Sequence, residues 1–171
     1  MKHIFILLVF ANISFGSINT IDSFEADFIQ KVTDDKEKVL TYNGHIIASK
    51  PQNAVWNYTQ PVKKKIYINR FEVTIVEPEI EQVIIKKVES NFDFFKMIKN
   101  AKKVKNNTFE TLYGDTTFTI ITQKELINSI SYIDEFENNV KIVFKNQKQN
   151  EKIDLEVFTP KYSLEFDVIR D

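Results

Sequence analysis

The sequence predicts a mainly β domain, an antiparallel sandwich or barrel with one helix inserted, and three observations lead there. Apolar and polar residues alternate with period two in one segment after another. Polar clusters separate these segments, and in a chain with 3 Gly it is Asn and Asp that best supply positive φ at turns. A single stretch, residues 90–101, carries helical spacing instead.

The first sixteen residues read as a secretory signal peptide rather than as part of the fold. Lys2 and His3 give a basic start, Ile4 to Ala11 an apolar run too short to span a bilayer, and Ser14 and Gly16 the small residues at −3 and −1 of a cleavage site. That leaves residues 17–171 as one domain, since no repeat or low-complexity linker divides them. Within it, Phe24, Ala26 and Phe28 alternate with Glu25 and Asp27, and Phe71, Val73 and Ile75 with Glu72 and Thr74. Val140, Ile142 and Phe144 alternate with Lys141 and Lys145, and Ile153, Leu155 and Val157 with Asp154 and Glu156. Turns are expected at 33–36, 69–70, 106–107, 113–115, 137–139 and 146–147. Short strands at this spacing indicate a sandwich or barrel.

The exception is a helix over 90–100, with Phe94, Met97, Ile98 and Ala101 on one face. Ser90 and Asp93 resemble a capping box, Lys96 and Lys99 suit the negative end of the helix dipole, and Asn100 can terminate it. One helix in a β chain must lie on a sheet face or cap an open end.

Composition removes several functions. With no Cys there is no disulfide scaffold, cysteine zinc site, thiol catalysis or lipid-modified N-terminal cysteine. Scarce Gly excludes glycine-rich phosphate loops, and a net charge of −1 gives no global field for nucleic acid. The lone mature histidine, His45, cannot make a multi-His metal site and is read as structural. Glu77, Glu79 and Glu81 could share a strand face as paired carboxylates of a glycan- or lipid-acting hydrolase, but no partner nucleophile accompanies them. No enzyme activity, cofactor or metal is expected. The 15 Phe point instead to a large apolar surface.

Several motifs resemble the periplasmic outer-membrane lipoprotein carrier family, LolA. The run from Ser23 to Val32 is similar to its opening strand, with Phe28 and Gln30 matching a Phe-x-Gln pattern. Gly44, Lys50-Pro51, Trp56 and Gln60-Pro61 follow its Gly, basic-Pro, Trp, Pro order. Pro78 with Gln82-Val83 resembles its Tyr-x-Pro-x-x-x-Gln-Val element, and Phe158-Thr159-Pro160 its closing Phe-x-Pro. Lys50 stands where the family usually has Arg, Ala54 where it often has an aromatic, and Asn69-Arg70 where it usually has Asp-Gly. Its amphipathic N-terminal helix would have to fit into Ser17 to Asp22.

The resemblance implies an incomplete antiparallel β-barrel, a half-barrel, capped by one or more helices around an apolar cavity. It implies a periplasmic, monomeric chaperone that carries triacylated lipoproteins from an inner-membrane lipoprotein-releasing ABC transporter to an outer-membrane acceptor or membrane. The candidate acyl-binding residues are Phe28, Trp56, Phe94, Phe95, Met97 and Ile98, and Lys50 is the candidate for gating or partner contact. Each apolar candidate reads also as plain core, and Lys50 as a solvated lysine. The basic runs Lys63-Lys64-Lys65 and Lys102-Lys103 read as solvated faces, or as docking sites for an acidic partner. The alternative function is a LolA-like lipid- or protein-binding sensor of the cell envelope.

Overall fold

The computed structural model describes residues 18–87 and 93–170. The proposed signal peptide, Ser90 and the rest of 88–92 lie outside the described residues. Among the described residues, twelve strands form one sheet: β1 (Ser23–Thr33), β2 (Val39–Ser49), β3 (Asn53–Gln60), β4 (Lys64–Ile68), β5 (Glu72–Glu77), β6 (Gln82–Lys87), β7 (Lys102–Lys105), β8 (Thr108–Tyr113), β9 (Thr116–Gln123), β10 (Leu126–Ile133), β11 (Asn139–Gln149) and β12 (Asp167–Arg170). Their spatial order is β12-β6-β5-β4-β3-β2-β1-β11-β10-β9-β8-β7, so the sheet does not close. Every neighbouring pair is antiparallel except β12 with β6. Both edges are blunted, as an open sheet requires. β12 has four residues, and β7 reads Lys-Lys-Val-Lys with all four exposed.

Register turns the sequence alternation into a concave apolar face. Residues directly opposite one another share a face, which lines up Ile84, Ile75, Ile66, Trp56, Ile46 and Ala26 across six strands. Phe24 and Phe28 extend this face on β1, and Phe144 and Ile142 on β11. The single α-helix among the described residues, α1 (Phe94–Lys99), covers it with Phe94, Phe95, Met97 and Ile98, all buried. Asp93 caps α1, its side chain accepting from the Lys96 N–H at 3.0 Å. The Asp93 N–H in turn donates to the Tyr113 hydroxyl of β8 at 2.9 Å, which ties the helix start to the sheet. Asn100 ends α1, its N–H donating to the Lys96 carbonyl at 3.0 Å. The helix is thus shorter than the 90–100 span expected, with its cap at Asp93.

The convex face carries a second, smaller core. Val55, Tyr67, Val76 and Val83 lie under the C-terminal segment, whose Phe158 is buried among them. Residues 153–157, expected to be a strand, instead lead into a 3-10 turn, Leu155–Phe158. Asp154 caps this turn by accepting from the Glu156 N–H at 3.0 Å, which leaves Leu155 exposed and buries Phe158. The expected strand face at 77–81 is also corrected. Glu77 ends β5, and residues 78–81 make the hairpin turn, with Glu81 at φ 55°. The three carboxylates therefore share no strand face. Phe71 lies outside β5 and is exposed, while Thr74 and Val76 rather than Val73 and Ile75 are the buried residues of that strand.

Two hairpins repeat one turn design. Asp34 accepts from the N–H groups of Lys36 and Lys38, and Asp134 from those of Phe136 and Asn138. Glu37 and Glu137 then take the left-handed conformation at φ 60° and 64°. Asn146, expected at a turn, instead sits inside β11 at φ 51°. Asn146 and Gln147 together oppose Ala26, a β-bulge between the pairs Glu25–Lys148 and Asp27–Lys145. The Asn146 amide donates to Asp27 at 2.8 Å, and the His45 ring lies 2.8 Å from the other Asp27 oxygen and 3.3 Å from Glu25. The Asn146 bond, followed by the His45 contact, holds the Asp27 carboxyl below its ordinary value. His45 is a structural residue on the outer face.

Candidate functional site: an apolar cavity beneath the helix

Between α1 and the concave face lies a cavity of about 290 Å³. Its wall draws on β1, β3, β4, β9, β10, β11 and α1. β4 and β9 stand six strand positions apart in the sheet order, about 29 Å if the sheet were flat. That both border one cavity shows how far the sheet curls.

The candidate residues divide into three groups. Trp56, Phe94 and Met97 line the main cavity. Phe95 borders a smaller void of about 20 Å³ that also touches Trp56 and Phe94. Phe28 and Ile98 border neither. Phe28 stands behind the wall, its ring edge-on to Trp56 and Tyr58 at 5.1 Å from each, and Ile98 is 1% exposed in the surrounding core.

The polar members of the wall were not singled out from sequence. Gln30 on β1, Tyr58 on β3 and Tyr132 on β10 all face the cavity. The Tyr58 hydroxyl donates to Gln30 Oε1 at 2.9 Å. Burial raises the Tyr58 hydroxyl well above the ordinary tyrosine value, with Tyr132 and Tyr42 adding to it, and burial likewise raises Tyr132. Both therefore stay protonated as hydrogen-bond donors. The signals were present but local: Gln30 belongs to the Phe-x-Gln pattern, and Tyr58 shares the Trp56 face. Nothing local in the sequence placed β10 opposite them.

Lys50 lies away from the cavity. Its ammonium pairs with the Asp22 carboxylate, and its N–H donates to the Asp22 carbonyl at 2.9 Å. The Asp22 N–H donates to Asn150 Oδ1 at 2.7 Å. These bonds pin the entry to β1 just after the 3-10 turn Ile18–Thr20, which packs against α1 and buries Ile18 and Ile21 in the main core. Lys50 therefore meets the segment beside the helix, and among the described residues it makes no hydrogen bond to α1 itself. Both partners are exposed, so Lys50→Leu should change unfolding stability by less than about 1 kcal/mol. If the pair acts as a latch, the same variant should change the rate of cargo release several-fold. Unchanged transfer to acceptor membranes would leave a surface lysine only.

An open, strongly curled sheet with a helix over an apolar cavity defines a helix-capped half-barrel. The comparisons with known proteins then specify which. The model of the family described as outer membrane lipoprotein carrier protein LolA matches residues 19–119. The chain is 37% identical to an outer-membrane lipoprotein carrier protein of Campylobacter jejuni, with 99% of each chain covered. It is 28% identical to one of Wolinella succinogenes, again covering 99% of each. An uncharacterized conserved protein of Thermus thermophilus shares the fold at a TM-score of 0.55, with 9% identity over 92% of this chain and 95% of that one. The chain belongs to the LolA family of outer membrane lipoprotein carrier proteins. Among the described residues, no helix is long and apolar enough to cross a membrane.

Proposed function

We propose that this chain is a periplasmic carrier that takes triacylated lipoproteins from an inner-membrane releasing ABC transporter to an outer-membrane acceptor. The observation that carries the reading is the apolar cavity between α1 and the concave sheet face. Each acyl methylene kept from water contributes about 0.8 kcal/mol, so a long chain crosses an aqueous compartment only inside such an enclosure. Trp56, Phe94 and Met97 supply the contact surface, with Phe95 beside them and Phe28 and Ile98 supporting the wall from behind. Transfer of intact cargo needs no bond chemistry.

At about 290 Å³ the cavity stands at the lower end of ligand pockets, about 300–1,000 Å³. Three acyl chains need more room than this. Loading therefore requires α1 to move off the sheet, which makes it a lid. Residues 1–16 direct export and are removed, leaving 17–171 as the monomeric carrier domain.

Native mass spectrometry of protein purified from its own periplasm tests this reading. The expected species has the mass of residues 17–171 plus one acylated polypeptide. Free lipid alone would favour the sensor alternative, and a retained Met1 in the exported material would overturn the proposed processing.

A further inference from the structure

Resting on that carrier reading, we infer that Gln30 is a hydrogen-bond donor to the ester carbonyl of an acyl group held in the cavity, and that Tyr58 is its positioning residue. Gln30 is half-buried, and among the described residues no buried side-chain polar atom lacks a partner, so its free amide group meets water. An acyl chain filling the cavity removes that water, and a polar group kept from water without a partner is costly. Gln30 lies in mid-strand on β1, opposite Tyr42 on one side and Ile142 on the other. Its side chain is on the concave face, two positions beyond Phe28.

The Tyr58 hydroxyl occupies Gln30 Oε1, and this bond fixes which end of the amide remains free. Among the described residues the Gln30 Nε2 group has no hydrogen-bond partner, and Tyr132 lines the same cavity. The free amide N–H group defines the ligand chemistry, because it needs an acceptor. An acyl carbonyl offers lone pairs and no proton, whereas a hydrocarbon tail offers neither. The tail would then run along Ile66, Ile68 and Met97, while its carbonyl end stops at Gln30. The site would thus fix how deep a chain enters.

Two sources share this chemistry, the acyl groups of a lipoprotein and those of a diacyl phospholipid. The test titrates wild type, Gln30→Met and Tyr58→Phe with a triacylated lipopeptide, a diacyl phospholipid and the ether-linked analogue of each, which has no ester carbonyl. Gln30→Met should weaken the ester-linked lipopeptide about tenfold, the effect of one lost hydrogen bond, and leave its ether analogue unchanged. Tyr58→Phe should produce a smaller loss of the same selectivity. Loss with the lipopeptide alone supports the lipoprotein as source, and loss with both ester ligands supports recognition of any acyl glycerol. Equal affinities of ester and ether ligands in wild type, or equal weakening of both by Gln30→Met, overturn the inference while leaving the carrier reading standing. Failure of wild type to bind any of the four overturns the carrier reading itself. Should Gln30→Met unfold because the Tyr58 hydroxyl loses its acceptor, the double variant with Tyr58→Phe removes both ends of the bond and keeps the same comparison available.

Discussion

Met97→Glu is expected to weaken acyl binding sharply and leave the protein folded, whereas Ile98→Glu, one residue further along, is expected to unfold it. Each wild-type side chain is 1% exposed, and both belong to the same short helix. Only Met97 borders the cavity. A carboxyl at 97 can be hydrated by water in that cavity or can bind a proton, so its cost to the fold should be about 1–3 kcal/mol. It would still meet every acyl chain that enters. Affinity for a fluorescent acyl probe should fall about a hundredfold, the equivalent of roughly 3 kcal/mol. A carboxyl at 98 has no such outlet, because Ile98 is enclosed by the main core. There the destabilisation should exceed about 4 kcal/mol, as for an unpartnered charge in packed surroundings. Urea unfolding beside the probe titration separates the two. Equal loss of stability at both positions would show that the helix is core throughout and that the lid reading is wrong.

The sequence made the fold class visible because the central strands obey one simple rule. In β1 the buried residues Phe24, Ala26 and Phe28 alternate as a one-sided strand should, and Val140, Ile142 and Phe144 do the same in β11. The rule loses its meaning where both faces are covered. In β5, Val73 and Ile75 face the trough while Thr74 and Val76 lie beneath the C-terminal segment, so alternation could not show which set would be buried. Near residue 155 the same alternation occurs by chance, and the Asp154 cap decides the local structure. At 77–81 the Glu-x-Glu-x-Glu spacing imitates a strand, although Pro78 and the left-handed Glu81 bend the chain.

The candidate site was legible in part for a related reason. Trp56, Phe94 and Met97 could be found from strand and helix patterns, since each is the apolar residue its own element presents to the sheet interior. Gln30 and Tyr132 acquire meaning only when β1, β3 and β10 curl around one space, and that curvature is a property of the whole sheet. Lys50 shows the same limit. Its strand-end position was evident, but its partner Asp22 lies 28 residues earlier and only the folded chain brings them together.

Gly44→Ala should be the most damaging small substitution in the sheet, although it adds one methyl group. Gly44 lies directly across from Phe28 on β2, with Tyr58 as its neighbour on β3. A Cβ at this position would fall 2.6 and 2.7 Å from two ring carbons of Phe28, and against the backbone carbonyl oxygen of Asn57. The ring could tilt away, but the carbonyl belongs to the β2–β3 ladder and can move only with the strand. Overpacking of this kind costs about 1–3 kcal/mol, and the upper end is expected because a backbone atom is involved. The consequence should reach the cavity. Phe28 packs edge-on against both Trp56 and Tyr58, so a displaced ring disturbs the apolar wall and the hydroxyl that orients Gln30 together. Gly44→Ala should therefore lower the urea midpoint and also diminish the preference for ester over ether ligands. Phe28→Leu in the same background removes the ring that the methyl group strikes, and should recover part of the stability lost. Full additivity of the two substitutions would show that Gly44 and Phe28 do not interact, and that the strain lies at the Asn57 carbonyl alone.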